Sequence, residues 1–152
     1  MKKHATLPNK QAGAMLLEAL ISILIFSIGI LAIVGLQAQS IKNAGDAKYR
    51  VDASLLANDL IARMWSSDRT QTTLQSNFQT SGPEYMKWLT DVDSTLPGVS
   101  GVAQNQPIVS ISSVAGYDST APSRSMVTIT IYWSAPTEAK QAHNFVAVTE
   151  II

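Results

Sequence analysis

The chain has 152 residues, 46% of them apolar and 14% charged, with a formal net charge of zero and no cysteine. That length holds one modest domain, and the apolar share is high for a soluble one. The absence of cysteine excludes disulfides, thiolate metal sites and cysteine nucleophiles, and the scattered Lys and Arg residues give no basic groove for a phosphate backbone, so no nucleic-acid partner is expected.

Residues 1–13 form a short polar leader with Lys2, Lys3 and Lys10 and no acid. Without it the rest carries eight basic against eleven acidic side chains, a formal charge of −3. From Ala14 to Leu36 the chain is apolar except for Ser22, Ser27 and Glu18. As a helix this segment is roughly 35 Å long, enough to cross a bilayer's hydrocarbon core with some tilt. An ordinary signal peptide has a shorter apolar region that is discarded, although a cut near Ala38 or Ser40 would satisfy its small-residue rule. Basic residues flank the span on both sides, Lys2, Lys3 and Lys10 before it and Lys42, Lys48 and Arg50 after it, so charge counting does not orient it.

Glu18 is the anomaly of the segment. A carboxylate at bilayer depth costs about 2.5–3.5 kcal/mol on insertion scales and needs a cationic partner. The competing reading is an acid close enough to the end of the span to snorkel to the interface without a role.

The helix is expected to continue to about Trp65. No proline interrupts 37–65, Tyr49, Ala53, Leu56, Leu60 and Met64 recur at helical spacing, and Lys48, Asp52, Asp59 and Arg63 line another face. Residues 66–82, rich in Ser, Thr and Gln, read as loop or poorly packed structure. Pro83 and Glu84 suit a first turn, and a short helix over 84–93 shares Tyr85, Trp88, Leu89 and Val92 on one face. The period then shifts. Ile108, Val109 and Ile111 make one strand, Val127, Ile129, Ile131 and Trp133 alternate with Thr128, Thr130 and Tyr132 in a second, and 144–152 is rich in β-formers, for three or four strands in all. Connections of about ten residues favour antiparallel pairing. The expected class is therefore α+β: a long N-terminal helix, apolar over 14–36 and amphipathic over 37–66, whose second half packs on a small antiparallel sheet in a head over 67–152.

Gly13-Ala14-Met15-Leu16-Leu17-Glu18, after a basic leader and opening an apolar helix, resembles the processing site of type IV prepilins. The resemblance implies that a prepilin peptidase cuts between Gly13 and Ala14, removes 1–13, keeps the helix and methylates the new amine of Ala14. The stretches Ile28–Gln37, Ser54–Met64, Trp88-Leu89 and Leu96-Pro97-Gly98 are similar to minor pilins of the type IV pilus modification (PilV) family, over about the first hundred residues. Three departures stand out: Ala14 and Met15 occupy positions where many pilins have Phe or Met followed by Thr, Gly35 stands where many major pilins have proline, and the C-terminal disulfide of major pilins is absent.

The resemblance implies a minor pilin that enters or primes a type IV pilus and so serves pilus-dependent motility or adhesion. Its partners would be prepilin peptidase, other minor pilins, the major pilin and, before assembly, inner-membrane lipid, with the head in the periplasm and later on the cell surface. Cleavage would create the cation that Glu18 lacks, because the Ala14 amine of a neighbouring subunit lies at the same depth. A minor pseudopilin of a type II secretion system shares leader, helix and Glu18 and is the alternative; a membrane-anchored envelope enzyme or binding protein is a third reading. No catalytic role, cofactor or metal is expected. His4 and His143 are the only histidines, Asp91 and Asp93 read as a solvated helix end rather than a calcium site, and Trp65, Trp88 and Trp133 read as core anchors rather than a binding platform.

Overall fold

The computed structural model describes residues 11–114, 124–136 and 142–152. The leader's residues 1–10, with Lys2, Lys3, His4 and Lys10, lie outside them. The fold is α+β, in the order α1 (Gln11–Ser66), α2 (Gln71–Phe78), α3 (Pro83–Thr95), a 3₁₀ turn (Ala103–Asn105), β1 (Ile108–Val114), β2 (Arg124–Trp133) and β3 (His143–Ile151). The chain divides into two compact units, 1–43 and 44–152.

The described part of the first unit is one stretch of helix. Its large apolar residues between Met15 and Leu36 are 45–72% exposed and point to all sides. One polar group inside it is satisfied locally: the Ser27 hydroxyl donates to the Ile23 carbonyl at 2.7 Å, so the serine brings no unpaired hydroxyl into an apolar environment. The helix is long and apolar enough to cross a membrane.

In the second unit α1 becomes one-sided. Ala53, Ala57, Leu60 and Met64 are fully buried, with Tyr49, Leu56 and Ile61 partly so. They face a core made by Leu74 and Phe78 of α2, Tyr85, Trp88 and Val92 of α3, and the inner face of the sheet, Val109, Ile111, Val127, Ile129, Ile131, Trp133 and Ile151. Two polar tips are tied inside it. The Trp88 indole N–H donates to the Leu56 carbonyl at 2.9 Å, and the Tyr85 hydroxyl donates to the Pro107 carbonyl at 2.6 Å. These two rings thus fill the core and have a partner for the polar atom, whereas the buried Trp133 indole N–H has none among the described residues.

Two expectations are corrected. Residues 66–82 are not all loop: α2 occupies 71–78 and buries Leu74 and Phe78 four residues apart. With only two apolar residues among Ser, Thr and Gln the pattern is too sparse to mark a helix, and packing forms it. Its start is held by Asp68, whose carboxylate accepts from the Thr70 N–H at 3.0 Å and from the Thr73 hydroxyl at 3.2 Å. Trp65 is not a core anchor. It is 44% exposed, with the Arg69 guanidinium 5.6 Å from its ring centre, whereas Trp88 and Trp133 are buried. Position 65 follows buried Met64 by one residue, about 100° around the helix and off the stripe.

The sheet is antiparallel with order β1-β2-β3. Inward positions of β2 are buried and alternate with half-exposed ones throughout. Its two outer strands end differently. On β1 the Val109 N–H donates to the Thr80 hydroxyl at 2.9 Å, the Thr80 N–H donates to the Val109 carbonyl at 3.3 Å, and the Gln75 amide donates to the Ile111 carbonyl at 2.9 Å. The segment carrying α2 therefore occupies this edge at Val109 and at the Ile111 carbonyl. Among the described residues no hydrogen bond closes the outer edge of β3.

Tyr85 gives this core a pH dependence. Burial, and then the negative charge of Asp93, raise its pKa above the usual phenol value. The neutral phenol is favoured in the fold, so its contribution is complete below the unfolded pKa, about 10, and is lost as pH rises through the folded value. Denaturant midpoints measured from pH 8 to 11 should fall on the alkaline side. Tyr85→Phe should lower stability by about 1 kcal/mol at neutral pH and flatten that alkaline fall.

Candidate functional site

The residues singled out by the sequence lie on one short stretch of α1. Gly13 sits inside the helix rather than at a loop junction, and a Cβ built on it meets nothing within 4 Å. Ala14 and Glu18 are exposed and four residues apart, hence one above the other on a single helix face. Among the described residues Glu18 makes no hydrogen bond and no ion pair. Glycine lowers helix propensity by about 1 kcal/mol relative to alanine, so the peptide bond after Gly13 lies where the helix is locally easiest to open.

Chemically, the stretch offers an accessible peptide bond and an acid one turn further on. It has no nucleophile and base in contact. If the bond after Gly13 is hydrolysed, the Ala14 amine becomes the helix N-terminus, and Glu18 lies close to that positive end, a favourable place for a carboxylate. A helix that is apolar on all sides, as this one is from Met15 to Leu36, is not stable facing water, and it is long and apolar enough to cross a membrane.

The other candidates separate. Asp91 accepts from Arg63 at 2.8 Å, and the same guanidinium nitrogen lies 2.7 Å from Asp59. Asp91 is thus a partner of Arg63 in a bridge between α1 and α3, and Asp93 is exposed on the helix surface. Among the described residues no three His, Cys, Asp or Glu side chains are grouped as metal ligands. His143 stacks on Trp133 with ring centres 5.8 Å apart. The Arg63 bridge was not visible in the sequence, since 28 residues separate its two ends; only the one-turn spacing of Asp59 and Arg63 signalled half of it.

The Leu96-Pro97-Gly98 turn has a clear structural task. Leu96 is buried, Gly98 has φ of +71°, the Ser134 N–H donates to the Pro97 carbonyl at 3.0 Å, and the Asn105 amide donates to the Gly98 carbonyl at 2.6 Å and to the Ser134 hydroxyl at 3.0 Å. The turn fastens the end of α3 to the end of β2. A Cβ at position 98 would lie 2.9 Å from the Ser134 Cβ, whereas Gly101, with φ of +75°, has nothing within 4 Å.

Both Gly98→Ala and Gly101→Ala place alanine in left-handed backbone and should cost about 1 kcal/mol or more. Gly98→Ala adds the contact with Ser134 and should have the lower urea midpoint of the two; equal midpoints would remove the packing role of the turn. No protein-family model, no curated protein and no solved structure matches the chain.

Proposed function

We propose that this chain is a minor pilin of a type IV pilus, processed by prepilin peptidase between Gly13 and Ala14 and assembled through its apolar helix. The observation that carries the reading is the pairing of an exposed Gly13-Ala14 bond with Glu18 one turn along, at the head of a membrane-length helix that is apolar on every side. An isolated acid in such a helix is a cost; an acid beside a newly made amine is half of an ion pair.

Before assembly the helix would rest in the inner membrane with the head in the periplasm. On entry into the filament, lipid would be exchanged for the apolar helices of neighbouring pilins. The Glu18 carboxylate of one subunit would meet the Ala14 amine of the next, so that both desolvated charges are neutralised together. Such a pair adds little net stability, since the desolvation of two ions offsets their attraction. Its effect is on register: a slip by one turn leaves both charges unpaired in an apolar core, which costs several kcal/mol. The reading gives the head no catalytic step and leaves its surface for neighbouring subunits.

Glu18→Gln keeps the size and removes the charge. It should leave cleavage after Gly13 intact while the subunit's recovery in sheared pili falls by at least about tenfold, as loss of one partner of a buried pair implies. Normal recovery of Glu18→Gln in pili would sink the register role.

A further inference from the structure

The connection from α1 to α2 and the start of β2 border a polar cleft that the filament reading does not use. Its volume is about 440 Å3, and Asp68, Arg69, Thr70, Gln71, Ser125 and Ile152 line it. Several of its groups are hydrogen-bond donors without acceptors. Arg69 is exposed, with its guanidinium 5.6 Å from the centre of the Trp65 ring. A guanidinium held over an aromatic face keeps the edge of its planar fork free. Among the described residues Arg69 makes no ion pair and no side-chain hydrogen bond.

Ser125 supplies a second donor. It is the first inward residue of β2 and only 4% exposed. Its hydroxyl makes no hydrogen bond among the described residues, and its oxygen, unlike the Trp133 indole nitrogen, is not sealed off. The little exposure it has is at the cleft. A buried hydroxyl without a partner is a cost, and a ligand that accepts from it removes that cost.

The start of α2 supplies the third set. Thr70 precedes the helix without capping it through its side chain, and the first ladder bond runs from the Leu74 N–H to the Thr70 carbonyl at 2.9 Å. The N–H groups of Gln71, Thr72 and Thr73 have no acceptor among the described residues. They lie at the positive end of the helix dipole.

Asp68 is the opposing group. Its carboxylate accepts from the Thr70 N–H at 3.0 Å and from the Thr73 hydroxyl at 3.2 Å. The Thr70 N–H holds its carboxyl below the usual carboxylate range, so it is ionised at neutral pH. It occupies none of the three free N–H groups. Its charge offsets that of Arg69 and leaves the partial positive charge of the helix start.

We infer that this cleft binds a phosphate group, with Arg69, the N–H groups of Gln71, Thr72 and Thr73, and the Ser125 hydroxyl as its donors. A guanidinium fork, three N–H groups and a hydroxyl are more donors than the two oxygens of a carboxylate take. They match the four oxygens of a tetrahedral anion. The helix start alone would not carry the inference; the unpaired Ser125 hydroxyl facing the same cleft does. The inference does not rest on the filament reading.

The test uses the isotope-labelled full chain in maltoside micelles, which carry no phosphate, titrated with inorganic phosphate at constant ionic strength and followed by amide NMR. The signals of Gln71, Thr72 and Thr73 should move together and saturate. Arg69→Gln should weaken binding by about tenfold, as loss of a charged donor implies. Ser125→Ala should weaken it several-fold, yet leave the urea midpoint in phosphate-free buffer unchanged or higher, because the hydroxyl it removes is unpaired there. A serine with only a structural role would lower that midpoint and leave binding alone. Asp68→Asn keeps an acceptor for the Thr70 N–H and removes the charge, so it should tighten binding, most at low salt.

Shifts that never saturate, or that saturate alike in the Arg69→Gln and Ser125→Ala chains, are a general salt effect and overturn the inference. Weaker binding by a folded Asp68→Asn chain overturns it as well. Glycerol phosphate separates the sources of the group. Tighter binding than inorganic phosphate supports the site as one for a phosphomonoester such as a lipid headgroup, and equal or weaker binding supports it as one for free phosphate.

Discussion

Everything in this molecule depends on one helix having to satisfy two different surroundings. Over its first half α1 exposes apolar side chains on every side, and none of the described residues buries them. Over its second half it presents a single stripe, Ala53, Ala57, Leu60 and Met64, to a packed head. The first half gains stability only where water is absent, in lipid or among other apolar helices. The second half supplies a wall of the core, without which the three-stranded sheet would have one apolar face bare.

Glu18 belongs to the half without a core, and its meaning follows from that. A carboxylate there is tolerated if something of opposite charge reaches the same depth. Under the proposed reading the chain makes that cation from itself, by losing the segment before Ala14. The head, by contrast, keeps its ions at the surface, in the partly exposed bridges of Arg63 with Asp59 and Asp91 and of Arg124 with Glu150. Such exposed bridges contribute little each, about 0–1 kcal/mol. The head is held by its apolar contacts and by the bonds that fasten Trp88, Tyr85 and the Leu96-Pro97-Gly98 turn.

Much of this was legible in the residues. The buried stripe of α1, a helix over 84–93 that the structure extends to 83–95, and the second strand follow from periodicity, whereas the continuity of α1 follows from the lack of proline over 37–65 and the third strand from its β-rich composition. α2 was not legible, since Leu74 and Phe78 alone among polar residues define no period. Trp65 misled because large aromatic residues are usually buried, and only its offset from Met64 shows that it turns outward. The partial closure of β1 by Thr80 and Gln75 lies beyond any sequence pattern, being a side-chain bond to a distant backbone group. At the candidate site Gly13, Ala14 and Glu18 are singled out by the lone acid and by resemblance, and the structure adds their exposure and the shared face of Ala14 and Glu18.

The central claim is that the helix is kept and the segment before it is removed, and the mass of the N-terminal peptide tests this most directly. Mass spectrometry of the chain from cells with prepilin peptidase should find a terminus at Ala14, and cells without the enzyme should retain residues 1–13. A mature chain starting at Gln39 or Ile41, or one whose terminus is the same in both cells, would contradict the account.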